Sequence, residues 1–225
     1  MSVPGAASPL FLATTGAAEF SIARSLRFNS ADSAYLNRTP SSASNRKTWT
    51  WSNWVKRSAS GAYILFRGGT SSNDSQYFAI QFNANDKLAI GAETLDYLVT
   101  TQVFRDFSAW YHIVVALDVN QGTNANKLKL YINGTEVTAF DTDNRSSLST
   151  SDKGVNQTQA HVIGAEPLTS NRYLNGYLAE INFCDGTAYD ASSFGQADDN
   201  GVWQAKDTAG LTFGTNGFRL KFADN

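Results

Sequence analysis

Over most of its length the chain alternates apolar and polar side chains in short runs, each closed by Gly, Asn, Asp or Ser. A period of two puts successive side chains on opposite faces of an extended strand, so each run has one face to bury and one to wet. The clearest case is Lys127 to Ile132, where Leu128, Leu130 and Ile132 share one face and Lys127, Lys129 and Tyr131 the other. Asn133-Gly134 follows at once. This pair accepts the positive φ angles of a type I′ turn, so the sequence predicts a hairpin that returns through Glu136 to Phe140.

The same pattern predicts strands at Ser25 to Phe28, Thr48 to Val55, Tyr77 to Phe82, Lys87 to Ile90, Leu98 to Thr101, Tyr111 to Val119, His161 to Ala165, Tyr173 to Phe183 and Phe218 to Phe222. Within Thr48 to Val55, Trp49, Trp51 and Val55 face one way and Trp54 the other. The near-continuous apolar run Ile113 to Leu117 reads as a central strand covered on both sides. No long segment carries a capped helical stripe. The fold class is therefore all-β: two packed antiparallel sheets, with the N-terminal strand Ser25 to Phe28 and the C-terminal strand Phe218 to Phe222 in one sheet and in contact with each other.

Two stretches break the period. Residues 1–20 hold two of the four prolines and no charge before Glu19, and read as an extended N-terminal arm. Residues 21–225 then form a single sandwich domain that includes a long loop at 184–216. Phe194, Trp203 and Phe213 recur along that loop and mark it as packed, because disordered segments are poor in aromatics. A short helical turn is expected after Asp190, capped by Ser192 or Ser193.

Eighteen basic residues against 20 acidic ones leave a net charge of -2, so no basic field draws nucleic acid. The single cysteine, Cys184, closes no intrachain bridge and makes no thiol cluster for zinc. The apolar patch Leu10 to Ala13 is too short for a secretion signal and no run is long enough to insert in a membrane, so synthesis without a signal peptide is expected. His112 and His161 are the only histidines, and no Gly-x-Ser-x-Gly elbow accompanies them. Glu180 has no acid at 178, 182 or 184 to complete a strand-borne glycosidase pair, so no catalytic residue is assigned and the chain reads as no enzyme. No cofactor is expected. Calcium is the one ion weighed, through Asp141 and Asp143, whose alternative is a solvated turn. For a sugar, Asn73, Asp74, Tyr97 and Tyr173 are the candidate contacts, with Trp110 and Trp203 as further aromatic faces or, alternatively, core.

Trp110 to Asp118, Lys129 to Gly134 and Gly176 to Ile181, taken together, resemble the laminin-G-like domains of the concanavalin A-like lectin and glucanase superfamily. That resemblance implies a jelly-roll sandwich. More narrowly, Ser25 to Asn29, Thr48 to Ser52 with Trp54 to Arg57, Phe194-Gly195, Gly201 to Trp203 and Gly214 to Phe218 are similar to a version common in tailed-bacteriophage virion proteins. The likeness covers residues 22–225. It implies a virion structural or adhesion protein (capsid decoration, tail or fibre component) that forms a homo-oligomer, meets other virion proteins and contacts a host-surface glycan. A free-standing carbohydrate-binding lectin is the alternative, and a glycoside hydrolase stands third.

Overall fold

A computed structural model of the chain describes residues 20–69, 77–92, 94–166 and 172–222. Its strands are β1 (Leu26–Phe28), β2 (Leu36–Arg38), β3 (Thr48–Arg57), β4 (Tyr63–Gly68), β5 (Phe78–Phe82), β6 (Lys87–Gly91), β7 (Asp96–Val103) and β8 (Tyr111–Asp118). They continue as β9 (Leu128–Ile132), β10 (Thr135–Glu136), β11 (Phe140–Asp143), β12 (His161–Ile163), β13 (Gly176–Asp185), β14 (Gly195–Ala197), β15 (Trp203–Ala205) and β16 (Phe218–Leu220). One seven-stranded sheet runs β1-β13-β3-β8-β9-β10 with β16 also on β13, and a second runs β11-β7-β6-β5-β4-β12-β2. Both are antiparallel throughout. Among the described residues no helix is long and apolar enough to cross a membrane.

The period-two faces explain why the sheets stack. Trp49, Trp51 and Val55 of β3, Ile113, Val115 and Leu117 of β8 and Leu128, Leu130 and Ile132 of β9 all enter one core. Phe66, Phe78, Ile80, Phe82, Leu88 and Ile90 meet them from the other sheet. The Trp51 and Phe66 rings stack with centroids 4.4 Å apart, and Trp49 meets Phe78 edge-on at 5.1 Å. This all-β sandwich is the fold class that the alternation predicts.

Four details depart from the sequence reading. Asn133 and Gly134 do take positive φ (48° and 82°), and Thr135 pairs with Ile132 across a two-residue turn. The return strand, however, stops at Glu136, and the chain crosses to the second sheet, where Phe140–Asp143 pairs with β7. Val137 and Phe140 both pack on the core. Three positions apart, they cannot share one face of a single strand, so the strand breaks. Secondly, β1 and β16 share a sheet but do not pair: each binds β13, β1 opposite Gly176–Leu178 and β16 opposite Ile181–Phe183. Between these stations Glu180 adopts φ 45° in a bulge, which lets Leu178 and Ile181 both face the core. Thirdly, β2, β4, β14 and β15 were not predicted. Lastly, the turn at Ala191–Ser193 is capped by Asp190, which accepts from the Ser192 amide at 3.0 Å, rather than by either serine.

The stretch after β13 forms a third layer on the outer face of the first sheet. Phe194 and Ala191 are buried there with Val114, Tyr131 and Cys184, flanked by Tyr189, Trp203, Leu211 and Phe213. This layer is why Val114, between the core residues Ile113 and Val115, is also buried, as the apolar run Ile113 to Leu117 requires.

Candidate functional site

Period two sends Thr50, Ser52 and Trp54 of β3 to the outer face of the first sheet. Beyond the edge of the third layer, Trp54 and Trp110 line a groove of about 470 Å³. Residues Phe20 to Ser25 run along one wall, and Ala179, Gln204 and Ala205 close the rest. Trp110 is 36% exposed, and its ring lies 6.5 Å from that of Tyr177, which in turn carries the Arg27 guanidinium at 5.1 Å. The result is an open strip of aromatic faces beside serine, arginine and glutamine side chains.

The groove is braced from beneath. Trp54 stacks on His112 with centroids 4.9 Å apart. The Trp203 indole N–H can only donate, and it donates to His112 Nδ1 at 2.9 Å, so the ring proton sits on Nε2 and is given to Ser52 Oγ at 2.9 Å. Burial pushes His112 down to about 3, and the imidazole is neutral at any ordinary pH. A neutral ring with both nitrogens committed is a support rather than a base. At the far wall, Arg219 bonds Glu180 and donates to Asp207 at 2.6 Å, while its guanidinium covers the Phe20 ring at 5.5 Å. This network ties the bulge in β13, the third layer and the Phe20 to Ser25 wall together.

Sugar rings have an apolar C–H face that fits such aromatic surfaces, with hydroxyls left for polar neighbours. Comparison with known proteins bears on the fold. The model of the concanavalin A-like lectin/glucanases superfamily matches residues 28–191. The chain belongs to that superfamily. No curated protein matches this superfamily member. Among solved structures it is similar to mouse laminin α1 chain domains LG4-5, with 9% identity, TM-score 0.51 and coverage of 90% of this chain and 48% of that one. A proposed carbohydrate-binding protein of Bacteroides ovatus matches at 14% identity and TM-score 0.50, over 73% of this chain and 44% of that one. A heptameric SAP-like pentraxin of Limulus polyphemus matches at 15% identity and TM-score 0.49, over 69% and 70%. The chain therefore spans less than half the length of the first two.

The residues singled out in the sequence fare differently in this lectin-like sandwich. Tyr97 is a correction: it is 1% exposed and stacks on Phe78 at 6.1 Å, a core side chain because the register of β6 against β7 shifts between Ile90 and Gly91 and turns it inward. Asn73 and Asp74 lie outside the described residues. Tyr173 is half-buried, pairs with the exposed Tyr35 at 6.3 Å and does not line the groove. Asp141 bonds Lys87. Asp143 takes a two-pronged bond from Arg145, at 2.8 Å from Nε and 2.5 Å from Nη2, which holds its carboxyl below the usual range. Both carboxylates weighed for calcium are thus committed to cations, and among the described residues no three His, Cys, Asp or Glu come together to hold a metal. Trp203 serves as the clamp on His112, and Trp110 alone of the sequence's aromatic candidates opens onto the groove. Trp54 was read as outward-facing, but nothing in the sequence placed Phe20 to Ser25 beside it.

Proposed function

We propose that the chain is a non-enzymatic structural and adhesion protein of a tailed-phage particle, a homo-oligomer that meets other virion proteins and touches host-surface glycans through the groove of Trp54 and Trp110. One observation carries the glycan half: an exposed tryptophan beside a second one locked on a neutral, doubly bonded histidine, within a family of lectin-like sandwiches. A rigid aromatic face loses little entropy when a sugar settles on it. The virion half is supported by the sequence fragments Ser25 to Asn29, Thr48 to Arg57 and Gly214 to Phe218. Many copies on a symmetric particle turn even a millimolar contact into avidity. A free-standing lectin would use the same groove without the particle.

Mass spectrometry of purified particles tests the first half, and glycan-array binding of the protein and its Trp110→Ala variant tests the second. The expected result is a particle-associated protein whose glycan binding falls about tenfold or more in Trp110→Ala. Array binding without particle association would replace the virion reading by the free-standing lectin. Binding that is absent, or indifferent to Trp110, would overturn the groove.

A further inference from the structure

The outer face of the first sheet carries a second cavity, at the opposite end of β8. Trp110 precedes this strand and Asp118 ends it, a span of roughly 26 Å at 3.3 Å per residue. Here Ala116 and Asp118 of β8 and Lys129 and Tyr131 of β9 form the floor, and Ala188, Tyr189 and Asp190 of the third layer overhang it. The cavity holds about 400 Å³. Two of its lining residues, Ala116 and Ala188, are small and take little of this space.

Three polar groups converge on it. Tyr131 is 9% exposed, yet its hydroxyl has no hydrogen-bond partner among the described residues. Burial, with the nearby charges of Glu136 and Asp190, pushes this phenol up to about 12, so it keeps its proton and can both donate and accept. The ring is buried while the hydroxyl reaches the open cavity, where it is free to bond a molecule that enters. Asp190 uses one oxygen for the Ser192 amide and hydroxyl, at 3.0 and 2.6 Å, and Oδ2 has no donor among the described residues. Asp118 is fixed as an ionised acceptor: burial alone would raise it, but bonds from Gln121 at 2.6 Å, Asn120 at 3.1 Å and Thr48 at 3.2 Å hold it low. A general acid needs the opposite shift, so Asp118 is arranged to receive hydroxyls rather than to protonate a glycosidic oxygen.

We propose that this cavity is a second sugar subsite, selective for a neutral pyranoside, with the unpaired Tyr131 hydroxyl, Asp190 Oδ2 and Asp118 taking ring hydroxyls and Tyr189 packing on the apolar face. It rests on the glycan-binding reading above and adds to it a place and a charge preference. Lys129, the one cation lining the cavity among the described residues, is paired with Glu136 at 3.2 Å. The two aspartates therefore set the local sign and exclude uronic and other anionic sugars.

The test is a titration of the whole protein, followed by backbone amide shifts, with methyl glucoside, methyl galactoside and methyl mannoside, and with glucuronate and butylamine as controls. The expected result is saturable movement at Tyr131 and 188–190 with at least one neutral pyranoside. Tyr131→Phe, which removes only the unpaired oxygen, should weaken that movement about tenfold and leave the fold unchanged by circular dichroism. Movement confined to Ala179, Gln204 and Ala205 would overturn the subsite and leave the tryptophan groove standing. No movement at either place would overturn both. Equal binding of glucuronate or butylamine, indifference to Tyr131→Phe, or hydrolysis of the probe would also overturn the subsite.

Discussion

The two faces of the first sheet are built by different means. Inward, β3, β8, β9 and β13 offer Trp49, Trp51, Leu117, Leu130 and Phe183 to a core of large, interlocked apolar side chains. Outward, the buried set is small (Val114, Tyr131, Cys184, Ala191, Phe194), and the third layer is fastened at discrete polar points. Thr50 Oγ1 donates to the Thr187 carbonyl and accepts the Tyr189 amide, both at 2.8 Å. Thr208 donates to Asn182 at 2.7 Å, and Trp203 donates to His112. Area scales with apolar stabilisation, whereas each neutral hydrogen bond nets only about 1 kcal/mol. The inner face should therefore hold the global fold and the outer layer should open below it as a separate unit. Both cavities described above are edged by that layer, so its attachment sets their shape.

The largest effect should come from the inner face. Trp51→Ala removes a ring that is fully buried between the sheets, and large aromatic truncations of this kind cost about 3–5 kcal/mol. Urea unfolding followed by circular dichroism should show one transition shifted by that amount, with both layers lost together. A loss near 1 kcal/mol would mean that the core is less interdependent than its contacts show.

Acid should act next, and on the outer layer first. An opened histidine takes up a proton near pH 6.5, whereas burial holds folded His112 at about 3. Below about pH 6.5 the opened layer binds the extra proton and gains, so closure weakens as pH falls, by about 2 kcal/mol at pH 5. Amide hydrogen exchange at Phe194 and Lys206, whose N–H groups bond Ala191 and Phe194, should rise over this range before exchange in β3 and β8 does. Simultaneous loss of protection would merge the two faces into one unit.

How far all this could be read in advance follows the same division. Strands with uninterrupted alternation, such as β9 and the inward face of β3, were legible because burial on one side writes directly into period two. β4 was not, since the irregular register between Ile64 and Phe66 buries consecutive side chains and leaves no alternation to see. β2 is three residues long, too short for a pattern. The candidate sites were less legible still. Trp110 could be named as an aromatic face and Trp54 set opposite Trp49 and Trp51 on its strand, but the wall of Phe20 to Ser25 comes from a stretch with no period. The polar cavity joins β8, β9 and the segment 188–190, which no local spacing links. Tyr97, read as a candidate sugar contact, shows the converse: where the register slips, position along the sequence does not decide which way a side chain turns.

The smallest effect, and the sharpest for the layer itself, belongs to Trp203→Phe. The Trp203 ring lies so close to Gly134 and Gly195 that a Cβ on either would stand 2.4–2.5 Å from it, so the turn that needs glycine for its φ of 82° also needs it to admit this ring. Phenylalanine keeps an aromatic body there and deletes only the N–H that His112 Nδ1 accepts. The cost should be about 1–2 kcal/mol, spent on opening the layer rather than on the sandwich. Exchange at Phe194 and Lys206 should quicken roughly tenfold at neutral pH while Trp51 and Val115 amides stay protected. Closure starts weaker by that amount in this variant, so the acid effect on buried His112 should open the layer nearer neutral pH than in the unaltered protein. If instead the urea midpoint of the whole protein falls as it does for Trp51→Ala, the outer layer is part of the global core, and the separation between the two faces is wrong.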